Sequence, residues 1–350
     1  KSDYLSGSYS YTDSLLFLQV DSSGNISGRE AVYIEQRPYI ENIFSINNNR
    51  VILCGEIYQY YSAKSYWELS LDGSILGETQ MPQNASGMAV AANGDLFFFG
   101  RIYRGNDEND VLVYMKVSTS GDTLWSGHFE MENSFNINSG LGTEDNGCLA
   151  LGTAWKENSD DIFVIRIDAD GDTLWTGTYG GDRWDNADFA LENPDGSFLV
   201  VGGLNVYDSS NADWGLNAGE QVYLIKLTST GEKEWTRAIG NTLRDEANGG
   251  MRTSDGNFII LGIQNESYYY HFDQTTGWIT QVGHDGREGW RVEFPASIPT
   301  GIVELSSGNL LSVAANLSSS SYGYHNFGPD MRILKLSSSG SVIKDTVITP

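Results

Sequence analysis

Residues 168–181 read DADGDTLWTGTYGG, the clearest copy of a unit that recurs along the chain. An alternating apolar segment, IFVIRI, leads into a glycine turn, and a Trp follows four residues after that glycine. Related stretches are STSGDTLWSGHF at 118–129, STGEKEWTRAIG at 229–240 and HDGREGWRVEF at 284–294. A unit that repeats in this way predicts a repeat architecture.

The turn glycines set the period of the repeat. They lie 48 to 60 residues apart, at Gly24, Gly73, Gly121, Gly171, Gly231, Gly286 and Gly340. A second turn follows most of them, in ANGD (92–95), EDNG (144–147), PDGS (194–197), SDGN (254–257) and SSGN (306–309). Asn-Gly and Asp-Gly between apolar runs are strong hairpin signals. Each unit therefore contains four short strands: A carries the Trp, B precedes the second turn, C is apolar and D alternates.

Four antiparallel strands in about 50 residues are typical of a β-propeller blade. We predict one all-β domain over 1–350, a seven-bladed β-propeller with negligible helix. The repeats cover 25–72, 74–120, 122–170, 172–230, 232–285 and 287–339. The closing blade is expected to be composite, with strands C and D from 1–23 and strand A from 341–350, because closing the ring removes exposed sheet edges. It is expected to have three strands, or else the natural chain continues before Lys1.

Composition excludes several classes of partner. The chain has 21 Lys and Arg against 46 Asp and Glu, a formal net charge of −25. A chain this acidic does not favour nucleic acid or an anionic membrane surface. No apolar stretch reaches 18 residues, so we expect no membrane insertion. The two cysteines, Cys54 and Cys148, lie in apolar runs and are expected to be buried free thiols.

The repeats resemble those of a bacterial propeller family, found in secreted proteins and lipoproteins. The resemblance rests on DADGDTLWTGTYGGDRWDNADFALENPDGSFLVVGG (168–203) and on the related copy at 229–262. It is strong over about 118–262 and weaker elsewhere. The units are also distantly similar to pyrroloquinoline-quinone-type propeller repeats, but the adjacent cysteine pair of those enzymes is missing. The resemblance implies an extracytoplasmic bacterial protein at the cell surface and no resident cofactor.

Residues that recur at one blade position are interpreted as structural. Trp125, Trp175, Trp235 and Trp290 are predicted to pack between blades, and truncating Trp175 is expected to cost about 3–5 kcal/mol. The aspartates Asp168, Asp170 and Asp172 alternate as in a calcium loop, but other units lack them, so a turn is the favoured interpretation. The histidines show no metal-ligand spacing, so no metal site is predicted.

Candidate ligand-binding residues lie in the long A–B and C–D connections, which share one face. The A–B candidates are Arg183, Trp184, Asp185, Arg244 and Asp245. Their aspartates are interpreted first as caps of loop amides, with ligand binding left open. The C–D candidates are Tyr207, Trp214, Tyr268, Tyr269, Tyr270, Tyr322 and Tyr324. These loops are rich in aromatic, Asn and Ser residues, as recognition surfaces are.

We therefore expect a monomeric, non-catalytic binding module for a glycan or a surface protein. Two alternatives stay open: a carbohydrate-active hydrolase or lyase with carboxylates at the channel mouth, and an assembly scaffold for an envelope complex. No GxSxG, HExxH or P-loop motif supports catalysis. An enzyme would require a convergent acid pair with perturbed pKa values.

Overall fold

The computed structural model describes most of the chain as β-strand. The described residues are 14–33, 38–46, 50–57, 63–70, 72, 74–82, 85–104, 109–131, 134–156, 159–181, 185–207, 218–240, 244–265, 275–317 and 327–348. Strands alternate with turns throughout these ranges, and helices are absent from them. Across the same ranges, nothing resembles a helix long and apolar enough to cross a membrane.

The strands form six four-stranded antiparallel sheets, blades 1 to 6, and one N-terminal hairpin. The hairpin is β1 (Ser14–Val20) and β2 (Ile26–Tyr33). Blade 1 contains β3 (Pro38–Ile46), β4 (Arg50–Ile57), β5 (Ala63–Ser70) and β6 (Ile75–Gln80), and blade 2 contains β7 (Ala85–Val90), β8 (Leu96–Ile102), β9 (Val111–Val117) and β10 (Thr123–Glu130). In each blade the strands follow chain order from edge to edge.

The other four blades repeat this arrangement. Blade 3 contains β11 (Phe135–Gly142), β12 (Cys148–Trp155), β13 (Asp160–Ile167) and β14 (Thr173–Tyr179), and blade 4 contains β15 (Asp185–Glu192), β16 (Phe198–Tyr207), β17 (Ala218–Leu227) and β18 (Lys233–Ile239). Blade 5 contains β19 (Arg244–Arg252), β20 (Phe258–Asn265), β21 (Thr275–Val282) and β22 (Glu288–Pro295), and blade 6 contains β23 (Ser297–Glu304), β24 (Leu310–Leu317), β25 (Phe327–Leu336) and β26 (Val342–Ile348).

The prediction of seven blades with a composite closing blade is wrong. The structure has six four-stranded blades, and β26 pairs with β25 inside blade 6. Within the described residues, β1 pairs with β2 in a sheet of two strands. The predicted strands are grouped into blades with a shift of one strand. The turn glycine joins the third and fourth strands of one sheet, so the Trp-bearing strand is the last strand of its blade and not the first. The strand C predicted for the closing blade falls within residues 1–13, which lie outside the described residues.

The N-terminal hairpin contacts the last blade. The ammonium of Lys344 in β26 donates hydrogen bonds to the carbonyl of Gly24 at 2.9 Å and to Oδ1 of Asn25 at 2.6 Å. Lys335 in β25 donates to the carbonyl of Ser22 at 2.7 Å. The two ends of the described chain therefore meet, as closure of a ring of blades requires.

The first strands of blades 2 to 6 contact the first strands of their neighbouring blades. In each of them the pairing register shifts at one place, as at Ile137/Ser139 in blade 3 and Ala187/Phe189 in blade 4. Each bulge bends the first strand of its blade at the point where its partner, the second strand, carries a small residue, such as Gly152 or Gly202. At Gly152 a Cβ atom would lie 1.7 Å from the carbonyl oxygen of Asn136, so only glycine permits this approach of two backbones.

The recurring tryptophans pack between blades, which confirms their predicted role. The indole of Trp125 donates to the carbonyl of Ala169 at 2.9 Å, and that of Trp175 donates to Ser229 at 2.9 Å. Each ring lies against the turn glycine of the next blade, Gly171 and Gly231 respectively. However, these rings stand on the fourth, outer strands and are half-buried. The loss of stability predicted for truncating Trp175 is therefore too large. A loss of that size is expected instead for Trp67 and Trp278, which are fully enclosed.

The two cysteines agree with the sequence-based prediction. Cys54 and Cys148 are both buried, and neither forms a disulfide. Burial raises the pKa of the Cys148 thiol well above its usual value, although the positive charges of Arg166 and Lys116 oppose this effect. The thiol therefore stays protonated and acts as a small apolar core residue.

Candidate functional site

The long connections leave the blades at one edge, which we call the loop edge. In a four-stranded antiparallel sheet, the connection between strands two and three leaves the same edge as the connection to the next blade. The predicted A–B loops are the connections between blades, and the predicted C–D loops join second and third strands. Their shared face, predicted from the sequence, is confirmed.

The structure describes three of the predicted site residues in full: Asp185, Arg244 and Asp245. Tyr207 is the last residue of β16. The other eight lie outside the described residues: Arg183, Trp184, Trp214, Tyr268, Tyr269, Tyr270, Tyr322 and Tyr324. Asp185 and Asp245 occupy equivalent positions in β15 and β19, each two residues before the bulge of its first strand. The two aspartates therefore belong to different blades, and each has its own partners.

Asp185 is a buried carboxylate that caps a loop. Its side chain is only 1% exposed, and its Oδ2 accepts a hydrogen bond from the backbone amide of Gly181 at 2.9 Å. The predicted capping role is confirmed. A Cβ atom on Gly180 would lie 2.6 Å from Oδ1 of Asp161 and 2.7 Å from Oδ2 of Asp185, so both carboxylates face this glycine. Lys156 forms an ion pair with Asp161.

Burial raises the pKa of Asp185 to about 6; the Gly181 amide opposes this shift, and the negative charge of Asp161 adds a smaller contribution to it. A raised folded-state pKa means that the unfolded chain releases this proton first as the pH increases. The stability contributed by Asp185 is therefore present below pH 4 and is lost as the pH rises through 6.

Replacing Asp185 by Asn should remove this pH dependence while keeping an acceptor for Gly181. We expect Asp185→Asn to be more stable than the parent at pH 7, by about 1–2 kcal/mol, and equally stable near pH 3.5. Urea unfolding at both pH values measures the difference. The exposed Asp170→Asn variant is the control, and a loss of stability at pH 7 in Asp185→Asn would contradict the assignment.

Asp245 is enclosed in a charged cluster of blade 5. Its carboxylate pairs with Arg291 of β22 at 2.9 Å, and the Arg291 guanidinium lies 4.5 Å from the centre of the Trp278 ring. Arg244 pairs with Glu246 at 2.6 Å. These contacts fix the predicted polar residues of blade 5 within their own blade.

The sequence-based search missed a cluster of Arg101, Tyr103 and Trp155 at the loop edge. The Arg101 guanidinium lies 5.3 Å from the centre of the Tyr103 ring and 4.9 Å from that of Trp155. Both rings are open to solvent, Tyr103 at 61% and Trp155 at 40% exposure. We call these three residues the aromatic cluster. It joins blades 2 and 3.

A buried carboxylate holds the arginine of the aromatic cluster in place. Asp110 pairs with Arg101 at 2.7 Å and accepts a hydrogen bond from the Ser134 hydroxyl at 2.8 Å. Tyr103 and Trp155 occupy the same position, three residues after the glycines Gly100 and Gly152 that face the bulges. That repeated aromatic in RIY and TAW is the signal that could have revealed the cluster.

The predicted calcium-like loop is a backbone turn. Oδ1 of Asp168 accepts hydrogen bonds from the amides of Asp170 at 3.0 Å and Asp172 at 2.9 Å. Within the ranges that the structure describes, no three His, Cys, Asp or Glu side chains are grouped as metal ligands.

Comparison with solved structures supports the fold. The Dos1 propeller is 9% identical, covering 94% of this chain and 73% of that one, with a TM-score of 0.51. Lignostilbene dioxygenase of Pseudomonas brassicacearum is 11% identical over 88% of this chain and 72% of that one, also at 0.51. A protein of unknown function from Bacteroides caccae is 12% identical over 86% and 94% of the two chains, at 0.46.

Comparison of sequences adds no relatives. No protein-family model matches the chain, and no curated protein matches it. The likeness to the bacterial repeat family and to quinone-type repeats therefore stays a resemblance of motifs. The likeness to the Dos1 propeller and the blade topology together show a β-propeller.

Proposed function

We propose that the protein is a non-catalytic, extracytoplasmic module that binds a glycan at the loop edge. The observation that carries this proposal is the aromatic cluster, in which two solvent-exposed rings flank a fixed guanidinium. Sugar rings stack their C–H faces on such aromatics, and a guanidinium donates hydrogen bonds to hydroxyl or carboxylate oxygens.

Preorganisation supports this assignment. Asp110 and Ser134 hold Arg101 from the buried side, so little side-chain freedom remains to be lost when a ligand binds. In sequence, the connections at 205–221, 264–277 and 315–330 are rich in Tyr, Trp, Asn and Ser. Rigid rings beside adaptable polar groups are typical of recognition surfaces.

A hydrolase is the second candidate function, because Asp185 has a raised pKa and lies beside a second carboxylate, Asp161. Both carboxylates are buried, at 1% and 5% exposure, and their contacts to Gly181 and Lys156 are structural. Turnover of a glycan that disappears in Asp185→Asn would establish this candidate and replace the binding-module proposal.

A glycan array probed with the whole chain tests the proposed function. We expect Trp155→Ala and Tyr103→Ala to weaken binding of any glycan found there by at least about ten-fold, because each removes one stacking surface. The control is Leu174→Ala, which truncates an exposed apolar residue of β14 away from the loop edge. An array without hits, or equal binding by all variants, would contradict the proposal; a protein partner would then be sought.

A further inference from the structure

The third strand of blade 2 carries a small residue at a position where the next three blades are aromatic. Val113 of β9 pairs with Gly100 of β8. Opposite the equivalent second-strand glycine, blades 3, 4 and 5 carry Phe163, Tyr223 and Trp278. Phe163 and Trp278 are 2% and 0% exposed and pack in clusters shared with the preceding blade. Blade 2 therefore lacks a ring that its neighbours use to pack against the blade before them.

A cleft of about 470 Å³ lies where that ring is missing. Val113 and Gly100 both line it, together with Met115 of β9 and Pro82 of the connection with blade 1. Val113 and Met115 are half-buried, whereas Ile165, the equivalent of Met115 in blade 3, is fully buried. The short side chain at 113 therefore leaves the apolar face of β9 open towards blade 1. The volume lies within the range of small-ligand sites.

The charge of the cleft differs from that of the chain. Among the described residues that line it, none is acidic, although the chain carries 46 Asp and Glu. Its polar side chains include Arg104, Ser126 and His128. Arg104 donates to Glu130 at 3.2 Å, but a guanidinium has five N–H donors and can bind a second carboxylate. An apolar cleft with an arginine in its lining is complementary to an anion with an apolar body.

We propose that this cleft binds a small molecule in which an aromatic ring carries a carboxylate. The ring occupies the space that an aromatic side chain fills in blades 3 to 5, and it packs against Phe98 and Val113. The carboxylate pairs with Arg104, and the hydroxyl of Ser126 or the imidazole of His128 donates a hydrogen bond to it. The shape of the cleft therefore selects the ring, and its charge selects the anion.

The cleft and the aromatic cluster lie on opposite sides of blade 2. Successive residues of a strand face opposite sides of the sheet. Arg101 contacts Trp155 of blade 3, whereas its neighbours Gly100 and Ile102 line the cleft together with Pro82. The proposed site is therefore separate from the glycan site, and it does not rest on the proposed function.

The test uses the whole chain and a fluorinated naphthoate, observed by fluorine NMR. We expect saturable binding by the parent. Two competitors separate the contributions of ring and charge: octanoate is an aliphatic anion, and naphthalenemethanol is an uncharged aromatic. Each should bind at least about three-fold more weakly than naphthoate, because one lacks the ring and the other lacks the charge.

Filling the cleft from within should abolish most of this binding. Val113→Phe restores the ring that blade 3 carries at the equivalent position, and we expect it to weaken naphthoate binding at least about ten-fold. The matched control is Val347→Phe, which adds the same ring at a half-exposed position of β26 in blade 6 and should bind as the parent does.

A second variant tests the charge. Arg104→Gln should weaken naphthoate binding about three-fold or more and leave binding of naphthalenemethanol unchanged. This side chain is 40% exposed, so the variant tests the site independently of how blade 2 accommodates a larger residue. The control is Arg287→Gln, which removes an exposed arginine from a turn of blade 5.

Several outcomes would overturn the inference. These are absence of saturable binding by the parent, octanoate binding as tightly as naphthoate, and unchanged naphthoate binding by a folded Val113→Phe variant or by Arg104→Gln. A larger loss in Trp155→Ala than in Val113→Phe would place the naphthoate in the aromatic cluster and would also overturn it.

Discussion

Replacing Trp278 by Ala is expected to lower the free energy of unfolding by about 4 kcal/mol. Trp278 in β21 is 0% exposed, and its ring is so close to Gly262 that a Cβ atom there would lie 2.1 Å from it. Glycine at 262 and the indole at 278 are therefore complementary in shape. Truncation leaves a cavity that the surrounding strands cannot fill, and Arg291 loses the ring on which its guanidinium rests.

Denaturant unfolding of the parent and variant measures this loss. The matched control is Trp175→Ala, which removes the same side chain from a half-buried position on an outer strand. We expect that variant to lose only about 1–2 kcal/mol, because less apolar area is returned to water. Similar losses in the two variants would contradict the distinction between enclosed and outer tryptophans.

Replacing Asp110 by Ala is expected to cost about 3 kcal/mol, because it leaves a largely buried arginine without its partner. Asp110 is 2% exposed and Arg101 is 21% exposed at the side chain. The substitution also removes the acceptor of the Ser134 hydroxyl. We expect glycan binding to weaken as well, since Arg101 is then free to leave its place between Tyr103 and Trp155.

A double variant distinguishes an unpaired charge from a general packing defect. Adding Arg101→Met to Asp110→Ala removes the uncompensated cation, so part of the stability should return. The control Asp170→Ala, at an exposed turn position, should change the unfolding free energy by less than about 0.5 kcal/mol. If Asp110→Ala is no worse than this control, the buried pair is not what orders the cluster.

The phase of the repeat could not be predicted from the sequence. The order of turns, apolar runs and alternating segments is periodic, so it is the same whichever strand is taken as the first. Pairing of β26 with β25, and contact between Trp175 and Gly231, decide where each blade ends. If the Trp-bearing strand is the first of its unit, the N-terminal and C-terminal strands fall in one blade; because it is the last, they do not.

The candidate site also contains some contacts that the sequence could predict and others that it could not. Asp185 lies next to its loop in the chain, so local sequence was enough to predict that it caps an amide. Arg101, Asp110, Ser134 and Trp155 come from two blades and meet only after the blades pack. Their exposure and pairing depend on that packing and leave no local pattern beyond the aromatic that recurs in RIY and TAW.

The sequence by itself determined the class of fold, the strands, their turns and the buried apolar faces, because hairpin turns and alternation act between residues that are close in the chain. Tertiary structure decided the number of blades, the strand that begins each one, and the side chains that meet at the loop edge. These features depend on contacts between residues about 50 or more positions apart in the chain. Several arrangements fit the periodic sequence equally well, and the geometry and close packing of the blades select one of them.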